Sequence, residues 1–124
     1  MMKENIQLLL DQIKRTIKKK NCFVLSDRDK NNSFCSEYSL SSKIIKKILK
    51  DLTIWDFAKI INNCHEGYVD EKLYLFAPVL ELVNSNGDKE KIQIYLKINY
   101  IDICDTIVIV SLHKCDYKLK YAFK

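Results

Sequence analysis

The hydrophobic period changes once along this chain, near Asp51, and that change sets the fold class. Before it, Ile6, Leu9, Leu10, Ile13 and Ile17 recur at helical spacing and make one apolar stripe. Ile44, Ile45, Ile48, Leu49 and Leu52 make a second stripe, with Lys43, Lys46, Lys47 and Lys50 outside it and Ser41 or Ser42 available as an N-cap. After Asp51 the alternation is that of strands. Ile92, Ile94, Leu96 and Ile98 fall on one side, and Gln93, Tyr95, Lys97 and Asn99 on the other. The pattern predicts an α+β domain: two N-terminal helices packed on a twisted antiparallel β-sheet, in a single domain over residues 1–124.

Several further elements follow from local signals. Cys22 to Leu25 reads as a strand or an extended loop, and Ser26 to Glu37 as a polar loop without periodicity. Thr53 to Asp56 reads as a short capped turn, Phe57 to Ile61 as a strand and Asn62 to Asp70 as a loop. Leu73 to Val83 is β-branched and aromatic, with Pro78 marking a bulge or an edge position. Asn84 to Asp88, built on an Asn-Gly pair, is a hairpin turn. Ile101 to Asp105 turns the chain into a last strand, Thr106 to His113, and the tail after Cys115 carries Tyr117, Tyr121 and Phe123, which should pack back onto the domain.

Composition excludes several functions. With 2 glycines in 124 residues there is no Walker or Rossmann phosphate loop and no nucleophile elbow of the Gly-x-Ser-x-Gly kind. The apolar runs are far shorter than the ~20 residues of a membrane span, and no signal peptide is read, so the expected location is the cytoplasm. Cys22, Cys35, Cys64, Cys104 and Cys115 are odd in number and lack C-x-x-C spacing, which argues against a disulfide framework. Cys64-His65 and His113-Lys114-Cys115 lack finger-like spacing, so no metal site and no cofactor are expected. Charge is uneven: residues 1–50 carry twelve basic and five acidic side chains, and the remainder nine and eleven. A basic half invites a polyanion, although 19 of the 21 basic residues are lysines of the kind that solvate ordinary helices. No recognition helix of helix-turn-helix type is evident, so sequence-specific DNA binding is not expected.

The polar row Gln93, Tyr95, Lys97 places an amide, a phenol and an ammonium about 7 Å apart along one strand face, groups that suit a phosphate backbone and a stacked base. If the last strand folds back antiparallel, His113 arrives beside Gln93 or Tyr95. Simple alternation puts Ser111, Ile107 and Ile109 on the His113 face, and register decides whether Tyr95 shares it. Asp102 and Asp105 fall in a turn and do not form a glycosidase-type carboxylate pair.

Three stretches resemble the MqsR-like toxins of the RelE superfamily, ribonucleases of type II toxin–antitoxin pairs. They are Gln93 to Ile98, Thr106 to His113, and the segment Leu52-Thr53-x-x-Asp56-Phe57-x-Lys59. Arg28-Asp29-Lys30-Asn31 and the tail Tyr121 to Lys124 are similar to one branch of the family. The resemblance implies a RelE-like fold, cleavage of mRNA without metal, and silencing by a cognate antitoxin protein. Lys59, Tyr95 and His113 fall on the family's catalytic positions, with His113 standing where the family has lysine and a family glutamine unmatched near Lys72 or Leu73. His113 is then the acid or base, Tyr95 a positioning group and Lys59 an electrostatic one, with Gln93, Lys97, Lys114 and Arg28 as RNA contacts. For Lys59 the alternative is a solvated strand residue, and for Arg28 a loop salt bridge to Asp27 or Asp29. For the whole chain it is a non-catalytic RelE-like module that binds RNA or a protein partner.

Overall fold

The computed structural model describes residues 3–63 and 71–124. In chain order the elements are α1 (Lys3–Lys20), β1 (Val24–Leu25), α2 (Asp29–Glu37), α3 (Ser42–Asp51), β2 (Phe57–Asn63), β3 (Glu71–Phe76), β4 (Val79–Val83), β5 (Lys89–Ile101) and β6 (Thr106–Lys114). Short 3-10 turns at Ile54–Asp56 and Asp102–Cys104 join α3 to β2 and β5 to β6. Cys64, His65 and the rest of the expected loop up to Asp70 lie outside the described residues, while Asn62 and Asn63 extend β2.

The α+β class holds, with two corrections. A third helix, α2, replaces the expected loop after Ser26. Its sequence gives little local sign of a helix, because Asn31 and Phe34 are its buried residues and its Asn and Ser side chains favour turns and caps. Tertiary contacts hold it in place. The buried Asn31 amide donates to the carbonyls of Ser26 (3.0 Å) and Val110 (3.1 Å), and its oxygen accepts from the Leu112 N–H (2.8 Å). The second correction concerns the sheet, which is mixed. β1 pairs parallel to β6 (Val24 with Val108, Leu25 with Ile109), and the other pairings are antiparallel.

The strand order is β1-β6-β5-β3-β2, and β4 continues beside β5 where β3 stops. The apolar run from Leu73 to Val83 is therefore two strands, broken at Ala77-Pro78. Proline donates no ladder hydrogen bond, but its carbonyl still accepts from Ile94 N–H at 2.9 Å. The Asn84–Asp88 hairpin closes through Asn84 Oδ1, which accepts from the backbone of Asn86 and Asp88, with Gly87 at φ +86°.

α1 and α3 cover one face of the sheet. Ile6, Leu10, Ile13 and Leu49 are fully buried there, against Ile94, Leu96, Ile98, Ile107, Ile109 and Leu112. Ser41 caps α3 by accepting from Ile44 N–H at 3.3 Å. Ile44, expected in the buried stripe, is 40% exposed, and Leu52 is buried as the C-cap residue. The capped turn at Thr53–Asp56 is a capping box.

The opposite face of the sheet is crossed by residues 115–124. Leu119 packs there with Leu75 and Ala77, whereas Phe123 joins the helix-side core and stacks on Phe57 at 5.8 Å between ring centres. Tyr121 packs and donates its hydroxyl hydrogen to Ala77 C=O, whereas Tyr117 remains 69% exposed. No helix among the described residues is long and apolar enough to cross a membrane.

Candidate active site

One irregularity in β6 aims the candidate residues. Lys97 pairs with Ser111, but Ile98 pairs with Ile109, so Val110 has no partner in β5. A bulge of this kind turns the strand by one residue. Upstream of it Ile107 and Ile109 face the helices; downstream Leu112 does so. Ser111 and His113 therefore point to the other face, beside Lys97 and Tyr95. The expectation that Ile107 and Ile109 share the Ser111/His113 face is corrected by this bulge. Asn31 completes the hydrogen bonding around it through Val110 C=O and Leu112 N–H, continuing the edge where the short β1 ends.

The result is a hollow of about 340 Å³ lined by Arg28, Tyr95, Lys97, Ser111 and His113, together with Lys30 and the tail residues Cys115, Asp116, Tyr117 and Leu119. Tyr95 and His113 are cross-strand partners whose rings stack at 4.9 Å with 6° between their planes. The Lys97 ammonium lies 6.0 Å from the Tyr95 ring centre. Arg28, at the N-cap of α2, reaches Ser111 Oγ at 3.5 Å and forms no ion pair with Asp27 or Asp29 among the described residues.

The electrostatics follow from this packing. Burial, and then the Arg28 charge, lower the Lys97 ammonium below the usual lysine range. Burial, followed by Tyr117 and Cys115, raises the Tyr95 phenol, which stays a hydrogen-bond donor at neutral pH. His113 Nδ1 is 2.8 Å from the Lys114 carbonyl. A carbonyl only accepts, so the hydrogen sits on Nδ1, and in the neutral ring Nε2 keeps its lone pair. The hollow thus holds an imidazole, an ammonium of increased acidity, an exposed guanidinium and an aromatic ring.

The other expected site residues are elsewhere or already engaged. Lys114 points to the helix side of the sheet, where it lies 5.6 Å over Tyr38 and 3.4 Å from Glu90. Gln93 binds the tail: its Oε1 accepts from Leu119 N–H at 2.9 Å, and its Nε2 donates to Leu119 C=O and to the Tyr121 hydroxyl, each at 3.1 Å. Lys59 is exposed and occupies the same cross-strand row as Lys97 and Ser111, two strands from Lys97 with Leu75 between. It lines a different hollow, and Tyr117 and Leu119, common to both, stand between the two. Lys30, Asp116 and the bracing Asn31 had no periodic signal to mark them, since each depends on where α2 or the tail docks. Among the described residues no three His, Cys, Asp or Glu side chains converge as a metal cluster.

Compared with protein-family models, curated proteins and solved structures, the chain matches none of them. What fold and geometry define is an α+β domain with a cationic, aromatic hollow between its sheet and the C-terminal tail, on the face away from α1 and α3.

Proposed function

We propose that the chain is an endoribonuclease of the toxin type, a RelE-like protein that cleaves mRNA without metal in the cytoplasm and is held silent by a cognate antitoxin protein. The observation that carries the chemistry is the stacked Tyr95–His113 pair, with Lys97 and Arg28 facing the same hollow. The toxin role and the antitoxin rest on the resemblance of residues 93–98 and 106–113 to that family.

In this mechanism the scissile phosphate sits between Arg28 and Lys97. His113 Nε2 takes the proton of the ribose 2′-OH, and the 2′-oxygen attacks phosphorus. The P–O5′ bond breaks, leaving a 2′,3′-cyclic phosphate and a 5′-hydroxyl. Lys97, made more acidic by burial and by Arg28, supplies the proton to the departing 5′-oxygen. Arg28 stabilises the charge that builds on the equatorial oxygens, and Tyr95 fixes the imidazole plane and offers its edge to a base. Lys59, beyond the tail, is left with long-range attraction of the RNA.

The test is cleavage of a long single-stranded RNA by the full chain in EDTA, with 5′-hydroxyl and cyclic-phosphate ends among the products. Intact RNA that is nevertheless bound would favour the non-catalytic module, a reading consistent with a single imidazole in the hollow.

A further inference from the structure

A second hollow, of about 550 Å³, adjoins the first and shares Lys30, His113 and Asp116 with it. Its character is opposite. α2 turns Asp29, Ser33 and Glu37 toward it, at the i, i+4, i+8 spacing of one helix face. Phe34 and Tyr38 form its floor, their ring centres 5.0 Å apart; the Lys114 ammonium lies 5.6 Å over the Tyr38 ring, whose hydroxyl is fixed by donating to Glu90 at 3.0 Å, so the apolar part of the floor is on the Phe34 side. Glu90 is paired with Lys114, and Asp116 with Lys30. Asp29 and Glu37 have no ion-pair partner among the described residues, and Glu37 accepts one hydrogen bond, from Ser85 Oγ at 3.1 Å.

With Lys114 neutralised by Glu90, a floor that is apolar at Phe34 and flanked by two carboxylates without an ion-pair partner among the described residues repels phosphate and accepts a flat group whose edge donates hydrogens. We propose that this hollow is a nucleobase subsite. It takes the base next to the scissile phosphate and selects bases with an exocyclic amino group (cytosine, adenine, guanine) over uracil. The proposal rests on the ribonuclease reading for what lies next door, since His113 lines both hollows. The discrimination is chemical. A carboxylate accepts only, so it pairs with an amino edge and is opposed by the two carbonyl oxygens that flank the single N–H of uracil.

The test uses nucleosides, which carry no phosphate. Cytidine, adenosine and uridine are titrated into the labelled full chain, and the amide resonances of Ser33 to Tyr38 and of His113 are followed. Cytidine and adenosine are expected to shift them at concentrations roughly tenfold below uridine, the size of one good base-edge contact. Glu37→Gln, a near-isosteric change at an exposed position, is expected to reduce that ratio to less than about threefold, because the amide both donates and accepts. Equal responses to all three nucleosides, or none along α2, would overturn the subsite. Nucleoside shifts without RNA cleavage would instead leave the subsite standing and remove the ribonuclease reading.

Discussion

Replacing Asn31 by alanine tests how the candidate site is aimed. Asn31 is fully buried and makes three hydrogen bonds, from its amide nitrogen to Ser26 C=O and Val110 C=O and from Leu112 N–H to its oxygen. Ser26 C=O also accepts from Arg28 N–H at 3.0 Å, so it keeps a partner in the variant. Leu112 N–H and Val110 C=O lose theirs beside the bulge. Leaving a buried polar group unsatisfied costs about 1–3 kcal/mol, and the carbonyl, with two lone pairs, sits at the low end. The expected loss is about 2–4 kcal/mol, or roughly 10 °C in melting temperature for a domain of this size. Urea unfolding followed by circular dichroism reads it, with an unchanged slope expected. Asn31→Asp should lose at least as much, because it keeps the acceptor but removes both donors and buries a charge. Asn32→Ala is the control: its exposed side chain donates to Asp27, and its removal should cost less than about 0.5 kcal/mol. An Asn31→Ala protein as stable as that control would refute the bracing of the bulge.

Three further outcomes are expected. Gln93→Ala should release the tail, speeding amide exchange at Leu119 relative to wild type; unchanged exchange would show that Phe123 and Tyr121 hold the tail alone. Burial, with Asp116 beside it, pushes the Cys115 thiol up to about 11, so at pH 8 its thiolate fraction is ~10⁻³ and alkylation read by mass spectrometry should modify exposed Cys22 and Cys104 first. Equal rates at the three thiols would contradict this. Arg28 disfavours the protonated form of Lys97, so Arg28→Ala raises the Lys97 pKa. If Lys97 is the general acid, the alkaline fall of the cleavage rate moves to higher pH in Arg28→Ala. A limb that stays in place would remove that role from Lys97.

What could be read from the sequence depended on how local each signal was. The stripe on α1, the alternation of β5 and the Asn-Gly hairpin are written in consecutive residues, and each is found where expected. α2 was illegible because tertiary bonds through Asn31 stabilise it, not propensity or an apolar face. The parallel pairing of β1 was hidden for the same reason, since two residues carry no period. For the site, the Tyr95–His113 pairing could be anticipated from strand order, but its face could not, because the bulge at Val110 reverses the alternation. Gln93 and Lys114 have side chains suited to RNA, yet local geometry commits one to the tail and the other to Glu90. Arg28 enters the hollow only because α2 is a helix that begins beside Ser111.

If the Tyr95–His113 hollow cuts RNA, cleavage depends on the His113 imidazole. The purified chain and its His113→Ala variant are incubated with a long single-stranded RNA in EDTA, and again with ribosomes, and cleavage rates are read on a gel. The account predicts cleavage by the wild type in at least one of the two settings and a rate lower by roughly 10²–10⁴-fold in the variant, the usual worth of a general base. A His113→Ala protein that cuts as fast as wild type, or a folded wild type that leaves RNA intact in both settings, would contradict it.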